Sequence, residues 1–227
     1  MTNKTKKHDF IELKFTGYTN GEIFDSNIEE DLKRISKDAK PSKLIVAIGN
    51  SMVVPGLDKA LEDKELNKQY EISFSCVEGF GERNRHLIKT IPLKAFTQQK
   101  IAPQPGMVLA LDGMPVKIIA VSGARVTADF NNFLAGKELK YKFTITRKIE
   151  GTREKAEALF QFYLNTVPEI EIKENELIVK GPIQIKAFIE VYKDKFKELL
   201  NIEPKFEEKE EVVKEVKNAI EEKEESN

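Results

Sequence analysis

The sequence predicts an α+β fold in which an antiparallel sheet with short helices is interrupted by a small β-rich unit and followed by an α-β-β-α module. Two strands with period-two alternation, Tyr70–Cys76 and Leu139–Ile149, stand far apart in the chain, as if one sheet were left and resumed. Between them lie three short apolar runs separated by turn dipeptides. Past Gly151 the charge changes sign: residues 151–227 hold 13 Lys and Arg against 19 Asp and Glu, whereas the whole chain of 227 residues carries a net charge of only -1.

Taken in order, Phe10–Thr16 is an apolar strand that ends at Gly17, and Asn20-Gly21 is a type I′ turn signal because both positions tolerate positive φ. Ser26 and Asn27 are candidate caps for a short helix over 28–37, with Ile28, Leu32 and Ile35 on one side and Pro41 beyond its end. Leu44–Ile48 reads as a strand running into Gly49. A helix starts at Pro55-Gly56, burying Leu57, Ala60 and Leu61, and closes by Asn67, a residue suited to the left-handed position. On the strand Tyr70–Cys76, Cys76 is expected as a small core residue rather than a redox centre.

Residues 85–128 bring a Pro92-led helical turn, a Pro/Gln loop at 102–106, and the runs Met107–Leu111, Val116–Val121 and Arg125–Phe130, split by Asp112-Gly113 and Ser122-Gly123. Such an excursion between two strands of one sheet predicts an inserted subdomain. After Gly151, Ala156, Leu159, Phe160 and Tyr163 form a helical stripe. A hairpin follows across Glu174-Asn175-Glu176, and a long helix carries Ile185, Phe188, Ile189, Tyr192, Phe196, Leu199 and Leu200 on one face. That stripe is either core or the seam of a homodimer formed through this module, and the thin independent core that some fifty residues can build tilts the reading to the seam. Residues 203–227, with Val212, Val213, Val216 and Ile220 scattered among glutamates, are read as a charged helical or disordered tail. The expected division is 1–84 with 129–150, then 85–128, 151–202 and 203–227.

Composition excludes several classes of function. One Cys and two His cannot build a disulfide framework or a thiolate or imidazole metal site, so no cofactor and no metal are expected. His8 and His86 are read as solvated. No apolar run approaches the ~20 residues of a membrane span, and the polar start lacks a signal-peptide core, so a cytoplasmic protein is expected. The basic surplus of the first 150 residues is too diffuse to argue for nucleic acid.

The chemistry lies in Phe24-Asp25, in Gly49-Asn50-Ser51-Met52-Val53-Val54-Pro55-Gly56-Leu57, and in Phe80-Gly81-Glu82-Arg83. Together with Phe15-Thr16-Gly17 and Asn20-Gly21-Glu22-Ile23-Phe24-Asp25-Ser26, these segments resemble the FKBP-type peptidyl-prolyl isomerases over residues 8–150. Ile88 to Phe96, Pro105-Gly106-Met107, Pro115-Val116 and Asn131 to Lys137 resemble the insert-in-flap domain of the SlyD-like subfamily. The acidic C-terminal extension makes the long archaeal type the nearest likeness. The resemblance implies a half-barrel antiparallel sheet wrapped on a short helix, and a cytoplasmic isomerase of Xaa-Pro bonds whose insert binds unfolded, proline-containing chains as a chaperone.

By residue match, Phe15, Phe24, Asp25, Val53, Val54, Leu57, Phe80, Phe133 and Tyr141 would line the catalytic pocket. Val54 would offer its N–H to a substrate carbonyl, Leu57 would form the floor, and Asp25 would polarise or orient the amide. In the insert, Ile88, Ile91, Phe96, Val108, Leu109, Met114, Ile118 and Val121 would supply a client groove, about half of them being needed for the insert's own core. Phe15 and Phe80 stand where the family commonly has Tyr, and a lost substrate hydrogen bond costs on the order of 0.5–1.5 kcal/mol. The rival reading is therefore a holdase or assembly module with little or no isomerase activity.

Overall fold

The computed structural model describes residues 4–111, 113–173 and 176–209. Among the described residues, twelve strands form three sheets, accompanied by five α-helices.

The first sheet is built on two long central strands, β1 (Phe10–Thr19) and β9 (Leu139–Lys148), which run antiparallel with Phe15 opposite Phe143 and Gly17 opposite Tyr141. β2 (Glu22–Ser26) returns along β1 through the Asn20-Gly21 turn, whose φ values of 51° and 81° are the positive pair that the turn requires. β3 (Leu44–Ala47) pairs with the first half of the same edge of β1, and β4 (Gln69–Phe74) closes the other side against β9. Alternation is strict: Leu139, Tyr141, Phe143 and Ile145 are buried and the residues between them are not. This face packs against α2 (Pro55–Ala60), which Pro55 opens and which buries Leu57.

Four expectations change here. The first helix, α1 (Glu29–Ile35), buries no residue and has no side-chain cap. Asn27 is used elsewhere: its Oδ1 accepts the Phe15 N–H and its amide donates to the Leu13 carbonyl, both at 2.8 Å, so it ties the helix entry to β1. The Pro55 helix ends at Ala60, seven residues before Asn67, although Asn67 does take the left-handed conformation. Cys76 is not a core residue on a strand face. The N–H groups of Gly79 and Gly81 both bond to its carbonyl, which folds Cys76–Glu78 into a 3-10 turn and leaves the thiol half-buried.

The second sheet is the inserted one, in the order β5 (Ile88–Pro92), β8 (Arg125–Asp129), β7 (Met114–Ser122) and β6 (Val108–Leu111), with α3 (Leu93–Gln98) laid on it. β5 was not foreseen. Phe96, Val116, Ile118, Val126 and Ala128 form its own small core. The turn residue Asp112 lies outside the described residues.

The third sheet follows α4 (Thr152–Leu164): β10 (Glu169–Lys173) and β11 (Glu176–Gly181) make the expected hairpin, α5 (Gln184–Leu200) crosses over, and β12 (Glu203–Glu208) pairs with β11 in parallel. The tail boundary at residue 203 is thus corrected. Residues 203–208 are a third strand, and the module is α-β-β-α-β. The stretch 210–227 with Val212, Val213, Val216 and Ile220, and the hairpin residues 174 and 175, lie outside the described residues. The α5 stripe, whose reading leaned to a dimer seam, is instead core within the chain: Phe196 packs at a tilt on Phe160 of α4 at 4.8 Å and Tyr192 on Tyr163 at 4.4 Å.

The module also shares one continuous core with the first sheet, through Phe10, Ile11 and Val46 on one side and Ala156, Leu159 and Phe160 on the other. Over that seam lies an ion cluster. The Arg147 guanidinium holds Glu154 with two nitrogens, at 3.1 and 2.5 Å, and Glu12 at 2.9 Å, while the Lys43 ammonium also contacts Glu154. Arg147 and Lys43 pull the Glu154 carboxyl down to about 2. A depressed carboxylate stabilises the fold above its ordinary range, and that contribution fades as pH falls through the folded value. Glu154→Gln is therefore expected to lower stability at pH 7 by about 1 kcal/mol after allowance for solvent screening. The deficit, measured by urea unfolding, should shrink towards zero between pH 4.5 and 2; a pH-independent deficit would mean that packing, not charge, is lost.

Candidate active site

Most of the expected pocket residues converge on Tyr141, at the middle of β9. Phe15 lies 5.9 Å from it, Phe24 meets it edge-on at 5.7 Å and 87°, and Phe80 closes on Phe24 from the other side at 6.3 Å and 84°. Edge-to-face contacts of this kind are the favoured ones for aromatic quadrupoles. Gly17, opposite both Asp25 and Tyr141 in the sheet, makes the arrangement sterically feasible: a Cβ there would lie 2.6 Å from the tip of the Phe24 ring.

The fifth ring was not foreseen. Phe74, the last residue of β4, stacks on Tyr141 at 5.6 Å and 11° and lies over Gly56, where a Cβ would fall 2.5 Å from the ring. Its signal was present as the inward position of an alternating strand. Its partner, however, is set by the β4–β9 register rather than by local sequence.

Val53 and Val54 pack on the edge of this core and Leu57 is buried within it. The two valines sit on the loop that runs from Gly49 into α2, and Asp58, absent from the sequence reading, fixes that loop. Its buried carboxylate accepts the N–H groups of Gly49 at 2.8 Å and Ser51 at 3.0 Å. The Val54 carbonyl accepts the Asp58 N–H, while the Val54 N–H meets no acceptor among the described residues.

Electrostatics separate the two polar groups. Burial, and secondarily the Asp25 charge, push the Tyr141 phenol far above its ordinary range, so it stays a neutral donor. Its hydroxyl makes no hydrogen bond among the described residues. Asp25 as a residue is open to solvent, but partial burial of its carboxyl raises it, against the opposing Ser26 N–H.

Phe133 does not join the cluster. It stands exposed on the loop after β8, whereas its neighbour Leu134 packs on the core. Phe133 instead lines a groove of about 730 Å³ between that loop and the insert, together with Val108 and Ile119. Of the eight insert residues proposed for a client groove, Phe96 and Ile118 are core, and Ile91, Leu109 and Val121 pack against that core. Ile88 is half-buried, and Val108 and Met114 stand exposed, joined by Met107 and Ile119.

The two chain crossings that join insert and first sheet are clamped. Arg83 holds Asp129 through Nε at 3.0 Å and a terminal nitrogen at 2.5 Å, Asn84 and Asn131 exchange hydrogen bonds at 2.8 and 3.0 Å, and the Phe130 N–H reaches the Leu87 carbonyl at 2.9 Å. Burial alone would raise the Asp129 carboxyl, but hydrogen bonds from Asn131 and Arg83 prevail and lower it, so it remains an anion at the hinge.

Among the described residues no helix is long and apolar enough to cross a membrane, and no group of His, Cys, Asp or Glu is placed to hold a metal.

Residues 1–102 match the family of FKBP-type peptidyl-prolyl cis-trans isomerases, and residues 89–134 match the family described as FKBP26, IF domain. A short-type peptidyl-prolyl cis-trans isomerase of Methanocaldococcus jannaschii is 33% identical over 150 residues, covering 64% of this chain and 94% of the relative. SlyD of Haemophilus influenzae is 32% identical and SlyD of Escherichia coli K12 27% identical, each over 110 residues and 47% of this chain. Those matches span 57% and 56% of the two relatives. The chain thus belongs to the FKBP-type family and is a peptidyl-prolyl cis-trans isomerase.

Proposed function

We infer that the cluster around Tyr141 is the catalytic pocket, and that the insert captures extended, proline-containing chains and delivers them to it. The observation that carries this reading is a five-ring apolar box in which Tyr141 keeps a neutral, unbonded hydroxyl, with the unpartnered Val54 N–H on the adjoining loop. Rotation about an amide faces a barrier of ~18–20 kcal/mol that originates in resonance. The planar amide is more dipolar than the twisted one, so an apolar enclosure penalises the ground state more than the transition state. A fixed N–H that receives the substrate carbonyl holds one end of the bond while the prolyl ring turns.

Phe15 and Phe80 lack hydroxyls, and Tyr141 supplies the single phenol in the box. Asp25, at the rim and two strands from Tyr141 across Gly17, supplies the field that orients the amide. Cis-to-trans relaxation of a short Xaa-Pro peptide tests the assignment. Asp25→Ala is expected to reduce kcat/KM by about tenfold, which corresponds to roughly 1.4 kcal/mol of transition-state stabilisation. An unchanged rate in a folded variant would remove Asp25 from the mechanism.

A further inference from the structure

We propose that the groove between the insert and the loop after β8 selects acidic client segments, extended chains in which apolar residues are flanked by Asp or Glu. The proposal rests on the reading that the insert binds extended chains, and it adds the chemical class of the chain.

The groove has an apolar base and a one-sided charge. Val108, Ile119 and Phe133 stand exposed in it at 53%, 38% and 43% of their surface. Its volume of about 730 Å³ takes several side chains of an extended segment. The charged residues along it are Arg83, Lys117, Lys137 and Asp129. Arg83 and Asp129 are spent on each other. Lys117 and Lys137 have no ion-pair partner among the described residues, although many surface lysines of this chain are paired, Lys33, Lys59 and Lys148 among them. Among the described residues, the unpaired charge along the groove is therefore that of two ammonium groups beside an apolar floor.

The wider field has the same sign. Residues 85–128 contain six Lys and Arg and a single acidic residue, Asp112. A carboxylate within a few ångströms of such a lysine is favoured and a second cation disfavoured, and both effects weaken as salt rises. Complementary charge of this kind discriminates between partners of equal hydrophobicity.

The test uses the full chain and three fluorescein-labelled peptides with one Ala-Leu-Pro-Phe core, flanked by Glu-Glu, Ser-Ser or Lys-Lys. In fluorescence anisotropy at low salt, the Glu-flanked peptide is expected to bind about tenfold more tightly than the Lys-flanked one, and the ratio should fall on adding salt to about 0.5 M. The Lys117→Gln/Lys137→Gln variant is expected to bring the ratio below about twofold while keeping the Ser-flanked affinity, since neither lysine packs in a core. A ratio that survives in the variant overturns the proposal by placing the discrimination elsewhere. Equal binding of all three peptides overturns it while leaving client capture intact. If none of the three binds, capture by the insert fails as well.

Discussion

Replacing residues 90–127 by an Asn-Gly turn is expected to leave isomerisation of a tetrapeptide within about threefold, and to lower catalysis of a proline-limited refolding reaction by about 100-fold. The excision is compatible with the fold because Thr90 and Thr127 face each other in the β5–β8 ladder. Ile88–Lys89 and Ala128–Asp129 then remain as a hairpin stub closed by a two-residue turn. The Arg83–Asp129 pair and the Asn84–Asn131 exchange lie outside the excision. So do all five rings of the pocket, which belong to β1, β2, β4, β9 and the Phe80 turn. A tetrapeptide is too short to occupy pocket and insert together, so its turnover reads the pocket alone. An unfolded chain held by the insert presents its prolines at an effective concentration set by the tether, and such linkage is worth about 10²- to 10⁴-fold. Loss of both activities in equal measure would mean that the insert supports the pocket rather than feeding it. Retention of both would dismiss client capture by the insert.

The parts of this molecule that could be read in the sequence are those whose signals are local. Asn20-Gly21 announces its own turn, Pro55 its own helix start, and Leu139 to Ile145 their own inward face. Residues whose role depends on a distant partner were harder. Phe74 and Cys76 occupy equivalent alternating positions, yet the first stacks on Tyr141 and the second ends in a turn, because the glycines after Cys76 capture its carbonyl. Asn27 looks like a helix cap and instead spends its amide on a strand twelve residues earlier. β12 was hidden by composition: glutamates and Lys205 surround its apolar positions Pro204 and Phe206, and only the β11–α5–β12 crossover, which seats it beside β11 in parallel, buries the first and half-buries the second. The likeness in the Asn131–Lys137 segment led to Phe133 as a pocket residue, whereas the loop turns Leu134 onto the core and leaves Phe133 to the groove. In the insert, alternation identified candidate residues but not the split between core and exposed face. That split depends on which side of the β5-β8-β7-β6 sheet receives α3.

Phe24→Ala is expected to give the larger loss at the catalytic step itself, about 30-fold in kcat/KM on a tetrapeptide, equivalent to roughly 2 kcal/mol. Phe24 is the ring through which Phe80 is joined to Tyr141: it meets both edge-on and fills the space above Gly17. Its truncation removes two aromatic contacts, each worth about 0.5–1.5 kcal/mol, and widens the access of water to the pocket around Tyr141. If the pocket works by holding a dipolar planar amide in an apolar enclosure, admitting water restores solvation of the planar form and raises the barrier again. Phe24→Leu separates the two contributions, because it keeps most of the apolar volume and gives up the ring geometry. Its activity should fall by only about threefold. Urea unfolding of both variants isolates catalysis from stability: Phe24 is half-buried, so the Ala variant should lose less than the 3–5 kcal/mol typical of a core Phe and remain folded at pH 7. If the folded Ala variant turned over tetrapeptide at the parental rate, exclusion of water would be dismissed as the source of rate enhancement. The Val54 N–H and the field of Asp25 would then have to carry catalysis without it.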